Sequence, residues 1–182
     1  MLKSIYRFVF FKVIKWKIIG DFDNIVDKYV VIVAPHTSNW DFIIGVMARS
    51  ILNISNVKFL GKSQLFRWPY GFIFRAMGGH PVERTKQNNI VEAVVDLFNS
   101  KEKFAIALAP EGTRKKVNEF KKGFYHIAVG AEVPIYKVGF DFSKKTILVD
   151  KPFYPTDNME EDMLTIMNFY RSIRGKHPEF EV

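Results

Sequence analysis

Two short stretches of the chain carry residues whose types and spacing can do chemistry. The first is Pro35-His36-Thr37-Ser38-Asn39-Trp40-Asp41. Where a turn runs into a helix, an aspartate five residues after a histidine can reach the imidazole. It then fixes the tautomer and stabilises the protonated ring, leaving the far nitrogen to take a proton from an alcohol. Histidine suits that task because its ordinary pKa lies near working pH. Read alone, His36 serves equally well as a capping or core residue. The second stretch is Pro110-Glu111-Gly112-Thr113-Arg114, followed by Lys115, Lys116, Lys121 and Lys122 in the densest basic run of the chain. Glycine lets backbone approach a ligand closely, and arginine offers a fork for phosphate. A solvated loop of glycine and lysines would have the same composition.

Other chemistries drop out. Gly61-Lys62-Ser63 looks like the end of a phosphate-binding loop, but the position of its leading glycine holds Asn56. There is no Gly-x-Ser-x-Gly and no cysteine, which removes a serine-hydrolase elbow, thiolate nucleophiles, disulfides and Cys-ligated zinc. The four histidines, at 36, 80, 126 and 177, stand far apart, which argues against a His-rich metal site. His80, His126 and His177 show no nearby carboxylate partner in the sequence and read as structural.

The elements that must position these residues follow from the apolar pattern. Tyr29 to Ala34 is continuous and β-branched, a buried strand ended by Pro35, with a helix from about Asn39 to Leu52. Val57 to Leu60 is a second strand, and Pro69 punctuates a Phe- and Trp-rich stretch up to Gly78-Gly79. A helix spans Asn89 to Phe98, and Phe104 to Leu108 is a central strand leading into the polar loop 110–116. A further helix runs from about Lys122 to Ala131. Val133 to Phe140 and Thr146 to Val149 read as strands paired through a turn near Ser143, and a last helix spans about Met159 to Ile173. Such alternation predicts one α/β domain, a mixed or mostly parallel sheet covered by helices. His36 and the 110–114 loop then both leave strands at the carboxyl edge, where open sheets of this kind place their sites.

The chain has 182 residues, one domain's worth, and its 48% hydrophobic share excludes wholesale disorder. A formal charge of +8 favours an anionic partner without choosing between nucleic acid, membrane surface and phosphorylated substrate. Aromatic residues make up 15%, enough ring surface to bury something greasy or to touch lipid. They sit within apolar runs, and no nucleic-acid motif appears, which argues against base-stacking on nucleic acid. The first 19 residues carry five basic residues and no acid. They are too interrupted for a membrane span and lack a small-residue cleavage site. Ile5, Val9, Val13 and Trp16 share one helical face. Residues 1–17 therefore read either as a helix lying on anionic lipid or as a terminal helix packed on a domain of residues 18–182.

Taken in order, the stretches resemble the glycerolipid acyltransferases. His36-x4-Asp41 matches that family's first block, and Lys62 to Arg84, ending Gly79-His80-Pro81-Val82-Glu83-Arg84, looks like its second. Glu111-Gly112-Thr113-Arg114, trailed by Phe120-Lys121-Lys122-Gly123, resembles the third, and Val133-Pro134-Ile135-Tyr136 the fourth. The likeness covers about residues 18–140. Three features depart from the pattern: Pro35 where asparagine is frequent, Lys137 where a proline is usual, and a short basic N-terminus where many members have membrane spans.

The resemblance implies acyl transfer from a thioester, acyl carrier protein or coenzyme A, to the hydroxyl of a lysophospholipid, foremost 1-acyl-sn-glycerol-3-phosphate. It implies His36 and Asp41 as catalytic residues. Arg84 and Arg114 would clamp phosphate, Glu111 would position glycerol hydroxyls or hold Arg114, and Lys62, Gly112 and Thr113 complete the substrate-binding set. No metal or other cofactor is expected. The expected partners are an anionic membrane surface and acyl carrier protein, with no nucleic acid, and the expected place is the cytoplasmic face of a membrane as a peripheral protein. Two other readings keep the same residues: another lyso-acceptor, such as an amino-acid lipid or lysocardiolipin, or a membrane-surface protein that binds without turnover.

Overall fold

The computed structural model describes residues 2–22, 26–82, 89–180 and 182; of Lys62, Val82 and Asn89 it describes the backbone only. Seven strands form one sheet: β1 (Lys17–Ile19), β2 (Lys28–Ala34), β3 (Val57–Lys62), β4 (Gly79–Val82), β5 (Phe104–Leu108), β6 (Ile135–Asp141) and β7 (Thr146–Val149). Their order across the sheet is β1-β7-β6-β2-β5-β3-β4. Every pairing is parallel except β6 with β7, which run antiparallel through the turn at 142–145. The expected mostly parallel α/β sheet is therefore present.

Period-two alternation divides the core between the two faces. Val30, Ile32 and Ala34 of β2 point into one cluster, together with Val94 and Phe98 of α4 (Asn89–Asn99), Ile127 of α5 (Gly123–Gly130) and Ile166 of α6 (Met159–Tyr170). Tyr29 and Val31 point the other way, against Ile44, Met47 and Ile51 of α2 (Trp40–Ile51). Helices on both faces bury a sheet whose central strands are apolar on both sides, as parallel sheets require.

Three elements escape the sequence pattern. The edge strand β1 lies in a basic segment that reads as helix. The opposite edge strand, β4, contains Pro81, which an edge tolerates because one side of the strand needs no partner. The short helix α3 (Gly71–Ala76) sits in the stretch punctuated by Pro69. At the N-terminus, α1 (Leu2–Phe8) passes into a π-helical turn, Val9–Val13. The expected common face does not form: Ile5 and Val13 are exposed, while Phe10 and Trp16 are buried among residues of the α2 face. Both sequence readings of this segment keep a foothold, since Leu2, Ile5, Phe8 and Val13 still present apolar surface outward.

Lys137, where the family pattern has proline, is accounted for by packing. Its ammonium is buried 2.9 Å from Asp150 Oδ2 and lies over the rings of Phe153 and Phe169. His177 does have a carboxylate neighbour, contrary to the sequence expectation: its Nδ1 lies 3.4 Å from Glu179 Oε1, two residues on. The pair is exposed and contributes little. Packing also carries His80, half-buried against the Phe104 ring; burial first, and then Lys101 and Lys58, hold its pKa below the ordinary histidine value.

Candidate active site

The strand β2 ends at Ala34, and its neighbour β5, paired with it from Lys28↔Phe104 to Ile32↔Leu108, ends at Leu108. The two loops that leave these strands therefore lie side by side at the carboxyl edge. In the first, His36 Nδ1 sits 3.1 Å from Asp41 Oδ2. Asp41 lies in the first turn of α2, where a carboxylate is favoured by the helix dipole, and the same oxygen accepts a hydrogen bond from the Ser38 N–H at 2.8 Å. Asp41 is 2% exposed, and its orientation is fixed by the turn. His36 keeps partial exposure, and with Nδ1 engaged its Nε2 is the nitrogen left for a ligand.

In the second loop the chain turns sharply, the Gly112 N–H donating to the Ala109 carbonyl at 3.0 Å. Gly112 has φ +65°, a left-handed backbone conformation that favours glycine, and the Lys121 side chain packs over its Cα. Thr113 Oγ1 accepts from the Lys115 N–H at 3.3 Å, and the Arg114 side chain is exposed.

Glu111 makes a contact that neither expected role foresees. Its carboxylate turns inward, 3% exposed, and Oε1 accepts a hydrogen bond from the His36 N–H at 2.9 Å. One carboxylate thus ties the two loops together. Burial holds its pKa above the ordinary carboxylate range, against the N–H donors of its own backbone and of His36, which act to lower it. Tyr170, whose hydroxyl donates to the Ile32 carbonyl at 2.9 Å, packs close by. Among the described residues, Asp41 Oδ1 and Glu111 Oε2 are buried with no hydrogen-bond partner.

Both loops open on a cavity of about 1000 Å³, at the upper end of ordinary ligand pockets. His36, Asn39 and Asp41 line it together with Gly112, Thr113, Arg114 and Lys115. It continues under α2 over an apolar wall that includes Phe22, Val31, Ile54 and Val57. The structure thus brings together His36, Asp41, Gly112, Thr113 and Arg114, with Glu111 bracing the loop behind them. Lys62 ends β3, its side chain outside the described set, and Arg84 lies outside the described residues. Among the described residues no group of three or more His, Asp or Glu could hold a metal ion. The bracing role of Glu111 is invisible in sequence, because nothing in the spacing pairs a side chain at 111 with a backbone N–H at 36. The apolar wall is likewise assembled from residues that read simply as core.

The paired-loop site stands at the carboxyl edge of a mostly parallel α/β sheet, and sequence comparison assigns its family. The Acyltransferase family model matches residues 18–141, and the chain belongs to that family. It is 33% identical over 113 residues to the 1-acyl-sn-glycerol-3-phosphate acyltransferase of Salmonella typhimurium, an alignment covering 58% of this chain and 44% of that one. It is 28% identical over 139 residues to the human 1-acyl-sn-glycerol-3-phosphate acyltransferase beta, covering 74% and 49%. The chain thus spans less than half the length of these relatives. In three dimensions it resembles the crystal structure of the 1-acyl-sn-glycerophosphate (LPA) acyltransferase PlsC from Thermotoga maritima. The TM-score is 0.58 at 18% identity, over 93% of this chain and 80% of that one, a likeness of fold.

Proposed function

We propose that this protein transfers a fatty acyl group from an acyl thioester, carried by coenzyme A or acyl carrier protein, to the free hydroxyl of a lysophospholipid, foremost 1-acyl-sn-glycerol-3-phosphate. The observation that carries the reading is the His36–Asp41 pair, 3.1 Å apart, at one end of a large apolar cavity whose rim holds Arg114. A base beside a cation on the rim of a greasy chamber suits a phosphorylated head group with an acyl tail.

The proposed reaction is a direct displacement. The acceptor hydroxyl gives its proton to His36 Nε2 as its oxygen attacks the thioester carbonyl. Asp41 holds the ring through Nδ1 and stabilises the imidazolium that forms. Collapse of the tetrahedral intermediate breaks the C–S bond, and the departing thiolate takes the proton back from His36. The products are the diacyl lipid and a free thiol, and every atom is accounted for without a covalent acyl-enzyme. Arg114, with Lys115 beside it and Arg84 as the further cation the family pattern supplies, binds the acceptor phosphate. Glu111 keeps the His36 backbone in place, and the wall under α2 receives the acyl chain. The outward apolar residues and basic side chains of α1 lay the protein on an anionic membrane surface as a peripheral protein. Among the described residues no helix is long and apolar enough to cross a membrane.

The test incubates wild type and His36→Ala with acyl-CoA or acyl carrier protein thioester and a panel of lysolipids, with products read by mass spectrometry. A diacyl product from wild type, lost by about 10³-fold in the variant, is expected. The preferred lysolipid names the acceptor. Folded protein that binds vesicles and makes no product on any acceptor would overturn the enzymatic reading in favour of a binding protein.

A further inference from the structure

From Phe42 to Val82 the chain contains no Asp or Glu, while Arg49, Lys58, Lys62, Arg67 and Arg75 fall inside it. The middle of this acid-free stretch carries the most exposed rings of the molecule. A 3-10 turn, Ser63–Phe66, leads through a tight turn into α3, and there Trp68 is 94%, Phe72 70% and Tyr70 66% exposed, with Leu65 and Ile73 exposed beside them. Soluble surfaces rarely gather such a patch without a partner.

The patch is built rather than loose. Phe66 is buried beneath it, against the Phe74 ring, and the Arg75 guanidinium lies over the Phe66 ring and donates to the Phe66 carbonyl at 3.1 Å. The Gly71 N–H donates to the Arg67 carbonyl at 2.9 Å, and a Cβ at Gly71 would meet the Phe66 carbonyl oxygen at 2.0 Å. Only glycine allows the chain to fold back so closely, which turns Trp68, Tyr70 and Phe72 outward. The patch is also continuous with the cavity, because Leu65, Phe74 and Met77 form part of its wall.

Tryptophan and tyrosine, apolar at one end and polar at the other, partition to the headgroup level of a bilayer, and arginines beside them are attracted to anionic lipid. We infer that the knuckle from Leu65 to Ile73 seats in the interface of an anionic bilayer. Trp68, Tyr70 and Phe72 enter at headgroup depth and Arg67 and Arg75 face lipid phosphates, so that the adjoining cavity wall opens against the membrane. This surface is separate from α1 and does not rest on the catalytic reading, since lipid binding is measured without turnover.

The experiment uses the full chain with Trp16→Phe and Trp40→Phe, leaving Trp68 as the reporter. On vesicles containing phosphatidylglycerol its emission should move to the blue and be quenched by bromine-labelled acyl chains, with a weaker response on phosphatidylcholine alone. In the otherwise wild-type chain, Trp68→Ser with Phe72→Ser should lower the fraction that floats with anionic vesicles by on the order of tenfold or more, with unchanged circular dichroism and thermal unfolding. Flotation of that double variant like wild type, or a water-like Trp68 on protein-loaded vesicles, would overturn the inference. So would a blue shift that follows protein concentration without vesicles, which would make the knuckle a contact between two copies. Failure of wild type to float on any vesicle sinks both membrane surfaces, while turnover of a soluble short-chain lysolipid would leave the acyl-transfer proposal standing.

Discussion

Two regions of the molecule bury carboxylates and satisfy them to different degrees. At the entry to α6, Asp162 is 4% exposed and surrounded by donors. Oδ2 lies 2.7 Å from the Tyr125 hydroxyl and accepts from the Thr156 N–H at 2.6 Å, while Oδ1 accepts from Thr156 Oγ1 at 3.0 Å. At the carboxyl edge of the sheet, Asp41 and Glu111 are buried just as deeply, yet each has one oxygen that no described donor reaches. Burying a carboxylate oxygen without a partner costs about 1–3 kcal/mol, and here two such oxygens leave acceptor capacity open within one site. The Asp162 network pins α5 to the start of α6. The Asp41–Glu111 region joins two loops and keeps an unpartnered oxygen on each carboxylate instead.

The largest expected effect breaks the comparison by exchanging its two outcomes. Asp41→Asn keeps the shape of the turn but removes the charge beside His36 Nδ1, on which the proposed general-base step relies. Turnover should fall by about 10²-fold or more while the melting temperature changes little. Asp162→Ala should do the reverse. It strands the Thr156 N–H, leaves the Tyr125 hydroxyl only the Thr156 carbonyl at 2.9 Å, and should cost about 2–4 kcal/mol in urea unfolding while the folded fraction keeps wild-type kcat. If Asp41→Asn unfolds the protein and Asp162→Ala silences it, the two regions have been assigned the wrong way round.

The same contrast explains what the sequence makes legible. His36 and Asp41 are five residues apart, so a local turn can bring them together, and the resemblance to the acyltransferases' first block singles out that contact among the readings the spacing allows. The apolar runs of β2 and β5 predict two buried strands whose loops leave the same edge of the sheet, and the strand order then shows the two to be neighbours. Glu111 and His36 stand 75 residues apart. A side chain bonding to a backbone N–H across that distance leaves no mark on either residue, so its bracing role emerges only in three dimensions. Edge strands escape for a related reason: β1 and β4 are short and half-paired, and Pro81 in β4 and the basic residues around β1 mask the pattern that central strands show. Phe10 misleads in a third way, since π-helical winding at Val9–Val13 rotates the buried face away from the Ile5–Val9–Val13 stripe that an α-helical period predicts.

The smallest effect sharpens the comparison most, because it separates stability from function within one side chain. Burial holds the folded-state pKa of Glu111 above the ordinary carboxylate value. As pH rises through that window the unfolded chain gives up the proton first, so the folded state loses relative stability, and the deficit is complete above the folded pKa. Glu111→Gln keeps an oxygen to accept the His36 N–H and removes the buried charge. The variant should therefore melt higher than wild type at neutral pH, by on the order of 2–4 °C, and the advantage should shrink as pH falls into the carboxylate range. Calorimetric scans across that range provide the measurement, with turnover assayed alongside. A loss of activity accompanying the gain would show that the charge on Glu111 is held for the reaction at a cost to the fold. An advantage that grows on acidification would mean that the carboxylate is stabilised in the folded protein, with its pKa below the ordinary value.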